Sequence, residues 1–342
     1  MLQIDRKSYR IWFVLLSTIL VVLLVIAVVI GLRRTRTSAS EDRKSEPAQE
    51  TTQEKWQEGV VSHNGKNYKY NRDIRSYLLM GIDKDEPVAE AKDSISGGQS
   101  DAMFLIVFDS GSEQVSVISI NRNTMTKIER CDENGLNKEE AMAQICLQHG
   151  YGDGKHYSCS RSVDAVSYLF YNLPISGYLS INMGGIPGLN DAVGGVEVTV
   201  LQDLSDPDRG VELHGGETRR LNGKEAYSYL RKRDTSEFDS AGDRLLRQEQ
   251  YITQYMTQLK TAVAGNPGKA ADIYNSVSEY LVTDADFTAL ITEFIDYEFD
   301  DSRMYTVPGE VTMGEEYEEY YVDDDALYDL VLEVFYQEVG QE

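Results

Sequence analysis

Arginines crowd one stretch of this chain. Residues 209–247 carry Arg209, Arg219, Arg220, Lys224, Arg231, Lys232, Arg233, Arg244 and Arg247, nine cations against seven acids. The protein as a whole has 342 residues and a formal net charge of −24. Guanidinium forks match phosphate oxygens bidentately, so a local excess of them in an anionic chain reads as a docking place for a phosphorylated ligand. Spacing sharpens the reading. Arg244, Arg247, Gln248 and Tyr251 fall at i, i+3, i+4 and i+7 of a helix predicted over Asp243–Val263, apart from the apolar stripe of Leu245, Ile252, Met256, Leu259 and Val263. With the helix starting at Asp243, both arginines stand beside its first, unpaired N–H groups. The helix dipole disfavours cations there unless an external anion docks. Arg231 and Arg233, closing the preceding helix predicted over Asn222–Arg233, converge on the same place.

Carboxylates complete the set. Asp83 follows the apolar run Ser76–Ile82, and Asp101 opens the run Ala102–Phe108. Singly, each is an ordinary turn residue; beside an arginine cluster they are hard oxygen ligands for Mg²⁺ or Mn²⁺. A divalent cation with arginines neutralises a pyrophosphate during phosphoryl transfer. Arg122, just beyond the run Val115–Ile120, is a further anion contact. Four histidines lie too far apart for metal-ligand spacing, and the acidic run around Asp323-Asp324-Asp325 reads as a solvated face with helix caps.

The elements that must position these residues alternate between short apolar runs and helical periods. Strands are predicted at Ser76–Ile82, Ala102–Phe108, Val115–Ile120, Tyr178–Met183, Val196–Leu201 and Arg303–Val307. Helices are predicted at Lys138–Gln148, Arg161–Asn172, Ile186–Val193, Asn222–Arg233, Asp243–Val263, Ala285–Phe299 and Asp324–Gln337. The pattern predicts a three-layer α/β/α sandwich with a mixed central sheet. Ahead of it, Ile11–Leu32 is 22 residues without a charge, about 33 Å as a helix and enough to cross a bilayer. The expected organisation is a cytoplasmic tail at 1–10, a transmembrane helix at 11–32, a polar linker at 33–70 and an extracytoplasmic domain at 71–342, anchored in the plasma membrane. The acidity argues against a nucleic-acid partner. Cys131, Cys146 and Cys159 in an exported domain predict one disulfide and one buried thiol, the pairing left open.

Seven short motifs carry a resemblance. Gly81-Ile82-Asp83, Ser100-Asp101, Ser119-Ile120-Asn121-Arg122, Asp191-Ala192-Val193-Gly194-Gly195-Val196, Leu221-Asn222-Gly223-Lys224-Glu225-Ala226 with Tyr229, Arg231-Lys232-Arg233, and Arg244-Leu245-Leu246-Arg247-Gln248 occur in this order over roughly 72–262. In order and spacing the chain resembles the LytR-CpsA-Psr family. The resemblance implies a phosphotransferase that moves a phosphate-linked glycopolymer from a polyprenyl-pyrophosphate carrier to a sugar hydroxyl of peptidoglycan, with Mg²⁺. Carried over, Asp83 and Asp101 hold the metal, and Arg122, Arg231, Arg233, Arg244, Arg247 and Gln248 bind the pyrophosphate. The prenyl tail lies in an apolar slot between sheet and helices. Three positions depart from the family pattern: Asn121-Arg122-Asn123 stands where Pro-Arg-Asp is usual, Gln99 where a basic residue is common, and Ala241 where an aspartate serves as candidate base. Asp239 or Asp243 substitutes for that base. Two other functions fit the same residues: a pyrophosphatase on the same carrier, and a protein that only binds a polyprenyl phosphate. Arg244→Ala is expected to abolish turnover at little cost in stability.

Overall fold

Strand residues point alternately to the two faces of a sheet, and the central sheet here uses that alternation to fill two separate cores. The computed structural model describes residues 59–266 and 268–340. The sheet strands are β1 (Ile74–Ile82), β2 (Ser100–Asp109), β3 (Gln114–Ser119), β4 (Gly177–Asn182), β5 (Leu281–Thr283) and β6 (Met304–Thr306). Their spatial order is β5-β4-β1-β2-β3-β6. The pairs β1/β4 and β3/β6 are parallel, and the other three are antiparallel.

Helices α1 (His156–Leu169), α2 (Ile186–Ala192), α3 (Gly223–Arg231), α4 (Ser240–Ala264), α5 (Lys269–Val277), α6 (Phe287–Phe294) and α7 (Asp324–Phe335) cover both faces. Leu78, Met80 and Ile82 of β1, with Met103 and Leu105 of β2, pack against Ala165 and Val166 of α1 and Leu327, Val331 and Phe335 of α7. On the opposite face, Tyr77, Phe104, Phe108 and Leu179 meet Met256 and Leu259 of α4, Ile273 of α5 and Ile291 and Phe294 of α6. Each Leu, Ile, Val, Met or Phe among them stabilises the fold by about 1.5–3 kcal/mol through burial. The expected mixed sheet with helices on both sides is the fold found.

Several expectations are corrected. Lys138–Gln148 is not a helix: Glu139–Gln144 pairs antiparallel with Met125–Arg130, and a 3₁₀ turn follows at Ile145–Gly150. Its Glu, Ala, Met and Gln favour helices, but pairing with a distant strand overrides intrinsic propensity. Residues 60–70, assigned to the linker, form a hairpin (Val60–His63 with Lys66–Tyr70) that adds the strand Tyr336–Val339 at its edge. Its turn is Asn64-Gly65, both residues at positive φ (49° and 76°), the geometry of a type I′ turn. No disulfide forms: all three cysteines are free, because they face separate surroundings. Cys146 adjoins Arg122, Cys159 lies 3.7 Å from His149 Nε2, and Cys131 lies against the Ser94 carbonyl. Among the described residues no helix is long and apolar enough to cross a membrane; the span read at 11–32 falls outside them.

Candidate active site

One edge of the sheet gathers the chemistry. Asp83 follows the C-terminal end of β1, Arg122 lies three residues past the end of β3, and Asp101 is the second residue of the antiparallel β2. Open α/β sheets place ligands at this kind of edge, beyond the carboxyl ends of strands. Asp101 owes its direction to a bulge. Gly81 pairs with Ala102 but Ile82 pairs with Ser100, so Asp101 is the extra residue, and a bulge re-aims a side chain out of the regular alternation. Gly81 permits the close approach: a Cβ there would stand 3.2 Å from the Ala102 Cβ.

Asp101 is the hub. Its Oδ2 accepts a hydrogen bond from Arg244 Nη1 at 2.8 Å, and its Oδ1 lies 3.1 Å from Arg122 Nε. The second approach is misaligned for a hydrogen bond, so Asp101 Oδ1 and Arg122 Nε are buried polar atoms without a hydrogen-bond partner. Arg122 Nη2 donates to Gln99 Oε1 and lies 3.1 Å from Cys146 Sγ. Burial opposes the Arg122 charge, yet Cys146 and Asp101 raise its pKa. Burial raises the Cys146 thiol, which makes it a packing residue rather than a nucleophile. Burial also lowers the pKa of Arg244, Asp101 opposes that shift, and the cations Arg122 and Arg233 add to it. Arg233 is half-buried and has no ion-pair partner among the described residues.

Asp83 completes the cluster. Its Oδ1 accepts the Gln99 N–H at 2.7 Å. Burial raises its pKa, the Gln99 hydrogen bond opposes this, Asp101 adds to the rise, and Arg122 and Arg231 lower it. Two neighbouring carboxylates, one of them with an orphaned buried oxygen, are the donor set a hard divalent cation takes when phosphate and water fill its other positions. The residues fit Mg²⁺ or Mn²⁺ in that sense. Among the described residues there is no group of three or more His, Cys, Asp or Glu able to hold a metal by themselves.

Helix termini bring in the remaining arginines. A capping box starts α3: the Asn222 side chain accepts from Lys224 and Glu225 N–H, and Glu225 reaches back to the Asn222 N–H. Its last turn delivers Arg231, whose Nη1 sits 2.7 Å from Asp85 Oδ1 and also donates to the Tyr227 hydroxyl. Arg209 stacks on the Tyr227 ring at 3.9 Å and lies 3.6 Å from Asp85. Sequence reading missed Asp85 and Tyr227; the i, i+4 spacing of Tyr227 and Arg231 was the available signal.

The α4 expectations need correction. The helix begins at Ser240, capped by Asp239, whose Oδ1 accepts the Gly242 N–H at 3.1 Å. Arg244 is therefore in the second turn and Arg247 beyond it, and the stripe Arg244, Arg247, Gln248, Tyr251 points inward and is buried. Arg247 gives two of its donors to backbone carbonyls and keeps a buried Nη1 without a hydrogen-bond partner among the described residues. Its Nε donates to the Tyr229 carbonyl at 2.9 Å and its Nη2 to the Lys232 carbonyl. Gln248 Nε2 donates to the Leu230 carbonyl at 3.1 Å. Both satisfy carbonyls that the end of α3 leaves open, and so fix where Arg231 and Arg233 stand. Because Arg244 is 3% exposed and paired with Asp101, its removal costs stability, against the sequence expectation of little cost. Asp243 is exposed, whereas Asp239 is half-buried and its pKa is raised by burial, a shift that the Gly242 N–H opposes and the charges of Glu318 and Asp243 reinforce.

Three spaces lie near the cluster. A narrow apolar slot of about 90 Å³ opens beside Gly81, Ala102, Leu230 and Gln248, each one to four residues from a charged group of the site. A second cavity of about 150 Å³ shares its lining of Leu79, Ile181, Leu189, Tyr251 and Ile252, and continues between the sheet and α4 to Met256 and Phe294. An open polar cleft of about 760 Å³ begins at Asp83 and Gln99 and passes Ser96, Asn134 and Tyr151.

A strand edge of the mixed sheet thus joins two carboxylates to the arginines of three further segments, with an apolar slot lined by their chain neighbours. The chain belongs to the LytR_cpsA_psr family, whose sequence model matches residues 29–333. A relative in Halalkalibacterium halodurans, the polyisoprenyl-teichoic acid–peptidoglycan teichoic acid transferase TagU, is 30% identical over 215 residues, 62% of each chain. The Enterococcus faecalis protein of the same name is 29% identical over 229 residues, 66% of this chain and 67% of its own. Among solved structures, protein gbs0355 from Streptococcus agalactiae superposes with a TM-score of 0.61 at 22% identity, covering 77% of this chain and 86% of its own. TagT bound to LI-WTA superposes with a TM-score of 0.55 at 18% identity, covering 77% and 90%. These likenesses establish the fold.

Proposed function

We propose that the protein is a membrane-anchored phosphotransferase, which moves a phosphate-linked glycopolymer of the teichoic acid or capsular type from a polyprenyl-pyrophosphate carrier to a sugar hydroxyl of peptidoglycan, outside the plasma membrane. One observation supports the reading: residues lining an apolar slot are chain neighbours of the arginine–carboxylate cluster, with Ala102 next to Asp101, Leu230 next to Arg231 and Gln248 one turn from Arg244. A ligand that fits both has a charged head of phosphates and a hydrocarbon tail. The names of the TagU relatives support the class of substrate.

In this reading Arg122, Arg231, Arg233 and Arg244 bind the diphosphate oxygens, and Arg244 and Arg122 exchange part of their hold on Asp101 for phosphate. Asp83 and Asp101 hold Mg²⁺ or Mn²⁺, which when bound neutralises charge developing on the diphosphate. The prenyl tail enters between Leu230 and Gln248 and runs along α4. The glycan leaves through the cleft past Ser96 and Tyr151. The acceptor hydroxyl oxygen forms a bond to the glycan-bearing phosphorus while the bridging P–O bond breaks, prenyl phosphate leaves with that electron pair, and the hydroxyl proton passes to the Asp239 carboxylate. Asp239 suits this role, because it is half-buried and burial raises its pKa, which strengthens it as a base.

Product analysis tests the reading. The full chain in detergent, with lipid-linked glycan, peptidoglycan fragments and Mg²⁺, is expected to join glycan phosphate to the acceptor. Glycan phosphate released to water in place of the joined product would make the protein a pyrophosphatase. No turnover, with the lipid bound, would leave a binding protein only.

A further inference from the structure

A carboxylate from far along the chain bonds to the residue that follows Arg122. The hairpin of Gly309–Met313 with Glu318–Val322 lies against the Asn121–Thr124 turn: Tyr320 N–H donates to the Asn123 carbonyl at 2.9 Å, and Gln144 Nε2 donates to the Glu318 carbonyl at 2.7 Å. Glu318 then divides its own side chain between two elements. Its Oε1 accepts the backbone N–H of Asp239 at 2.7 Å, and its Oε2 accepts Asn123 Nδ2 at 3.4 Å. Asn123 follows Arg122, and Asp239 is the cap of the helix that supplies Arg244. One side chain therefore ties together the two segments that aim these arginines at Asp101.

We infer that Glu318 is a positioning residue of the transfer reaction, a clamp that sets Asp239 against the Arg122 turn and tunes it as the acceptor of the hydroxyl proton. This rests on the transferase reading. The residue acts through Asp239, not on the substrate. Asp239 is faced by Glu318 and Tyr320 from the hairpin and by Asp243 and the Gly242 N–H from its own helix. Of these, Glu318 is the like charge that originates outside α4, so removing it lowers the Asp239 pKa while an amide at the same place still accepts the Asp239 N–H. Nothing about the acidic hairpin in sequence pointed here: Glu318 sits in a run of glutamates that reads as solvated surface.

The test compares wild type and Glu318→Gln as full chains in detergent, labelled with ¹³C-aspartate, with Asp239→Asn identifying the resonance. The Asp239 carboxyl is expected to titrate at lower pH in Glu318→Gln. In transfer assays the acidic limb of the kcat profile is expected to move the same way and kcat to fall about tenfold. Affinity for a prenyl pyrophosphate should be unchanged, because Glu318 is not placed on the diphosphate. An Asp239 titration identical in the two proteins would overturn the inference whether or not transfer is seen. An unchanged acidic limb, or a loss of kcat matched by an equal loss of lipid affinity, would overturn it as well. Failure of wild type to transfer would sink the functional reading alone, since the titration still decides the clamp.

Discussion

The two faces of the central sheet are built to different ends. Under α1 and α7, Leu78 and Met80 of β1 and Met103 of β2 are fully enclosed, and interlocking side chains fill the layer. Under α4, the neighbouring residues Leu79 and Ile106 are only partly covered and line the larger apolar cavity together with Ile252. Successive residues of one strand thus serve opposite purposes. One face holds the sheet rigid, and the other leaves room that a well-packed core does not have. A rigid sheet edge is what a site needs when four guanidiniums and two carboxylates must converge from five segments.

Changes at the site and on the two faces should separate these purposes. The largest effect belongs to the shared edge. Arg244→Ala is expected to reduce transfer about a thousandfold, as removal of a preorganised charge contact does. It should also cost about 2 kcal/mol, because Asp101 loses its aligned partner while keeping Arg122. Calorimetry beside kinetics checks both; full thermal stability would place Arg244 outside the buried pair. Next, Leu78→Ala on the packed face should cost about 3 kcal/mol in unfolding measurements and leave lipid affinity intact. An equal loss of lipid binding would erase the contrast between the faces.

A third change acts through pH on the packed side. His149 is buried, and burial lowers its pKa to about 4, with its Nδ1 3.0 Å from the Gly98 carbonyl. Its ordinary value is 6.5, so between these limits the unfolded chain binds the extra proton. Stability from this residue is complete above pH 6.5, falls as pH drops toward 4, and is about 3 kcal/mol in full. Unfolding measured across that range should show the decline, and His149→Gln should flatten it. The smallest effect is on the open side. Ile252→Trp is expected to fill the slot with little change in melting temperature and weaken prenyl pyrophosphate binding about tenfold, or 1.4 kcal/mol. Undiminished binding would move the tail elsewhere.

Much of this was legible in sequence, for identifiable reasons. Apolar runs such as Ala102–Phe108 announce buried strands by composition, and the structure brings Asp83, Asp101, Arg122 and Arg231 to element ends, with Arg244 in the second turn of α4. The start of α4 was misread because Asp239 takes a left-handed φ of 58° to cap it, which no helical period reveals. The bonds of Arg247 to the carbonyls ending α3 are not legible in sequence, because helical spacing gives the stripe but not its partners. The Asn64-Gly65 turn was an available signal hidden in a polar stretch. Glu318 was invisible, since its partners Asn123 and Asp239 lie 195 and 79 residues away.

The central claim is that one amphiphile spans the arginine pocket and the slot. A crystal structure of the protein with a prenyl pyrophosphate tests it most directly. The account predicts diphosphate density among Asp83, Asp101, Arg122, Arg231, Arg233 and Arg244, with the tail running past Gln248 and Ile252 toward Met256. A diphosphate held away from Arg244 and Asp101, or a tail lying outside the space between β1 and α4, would contradict it.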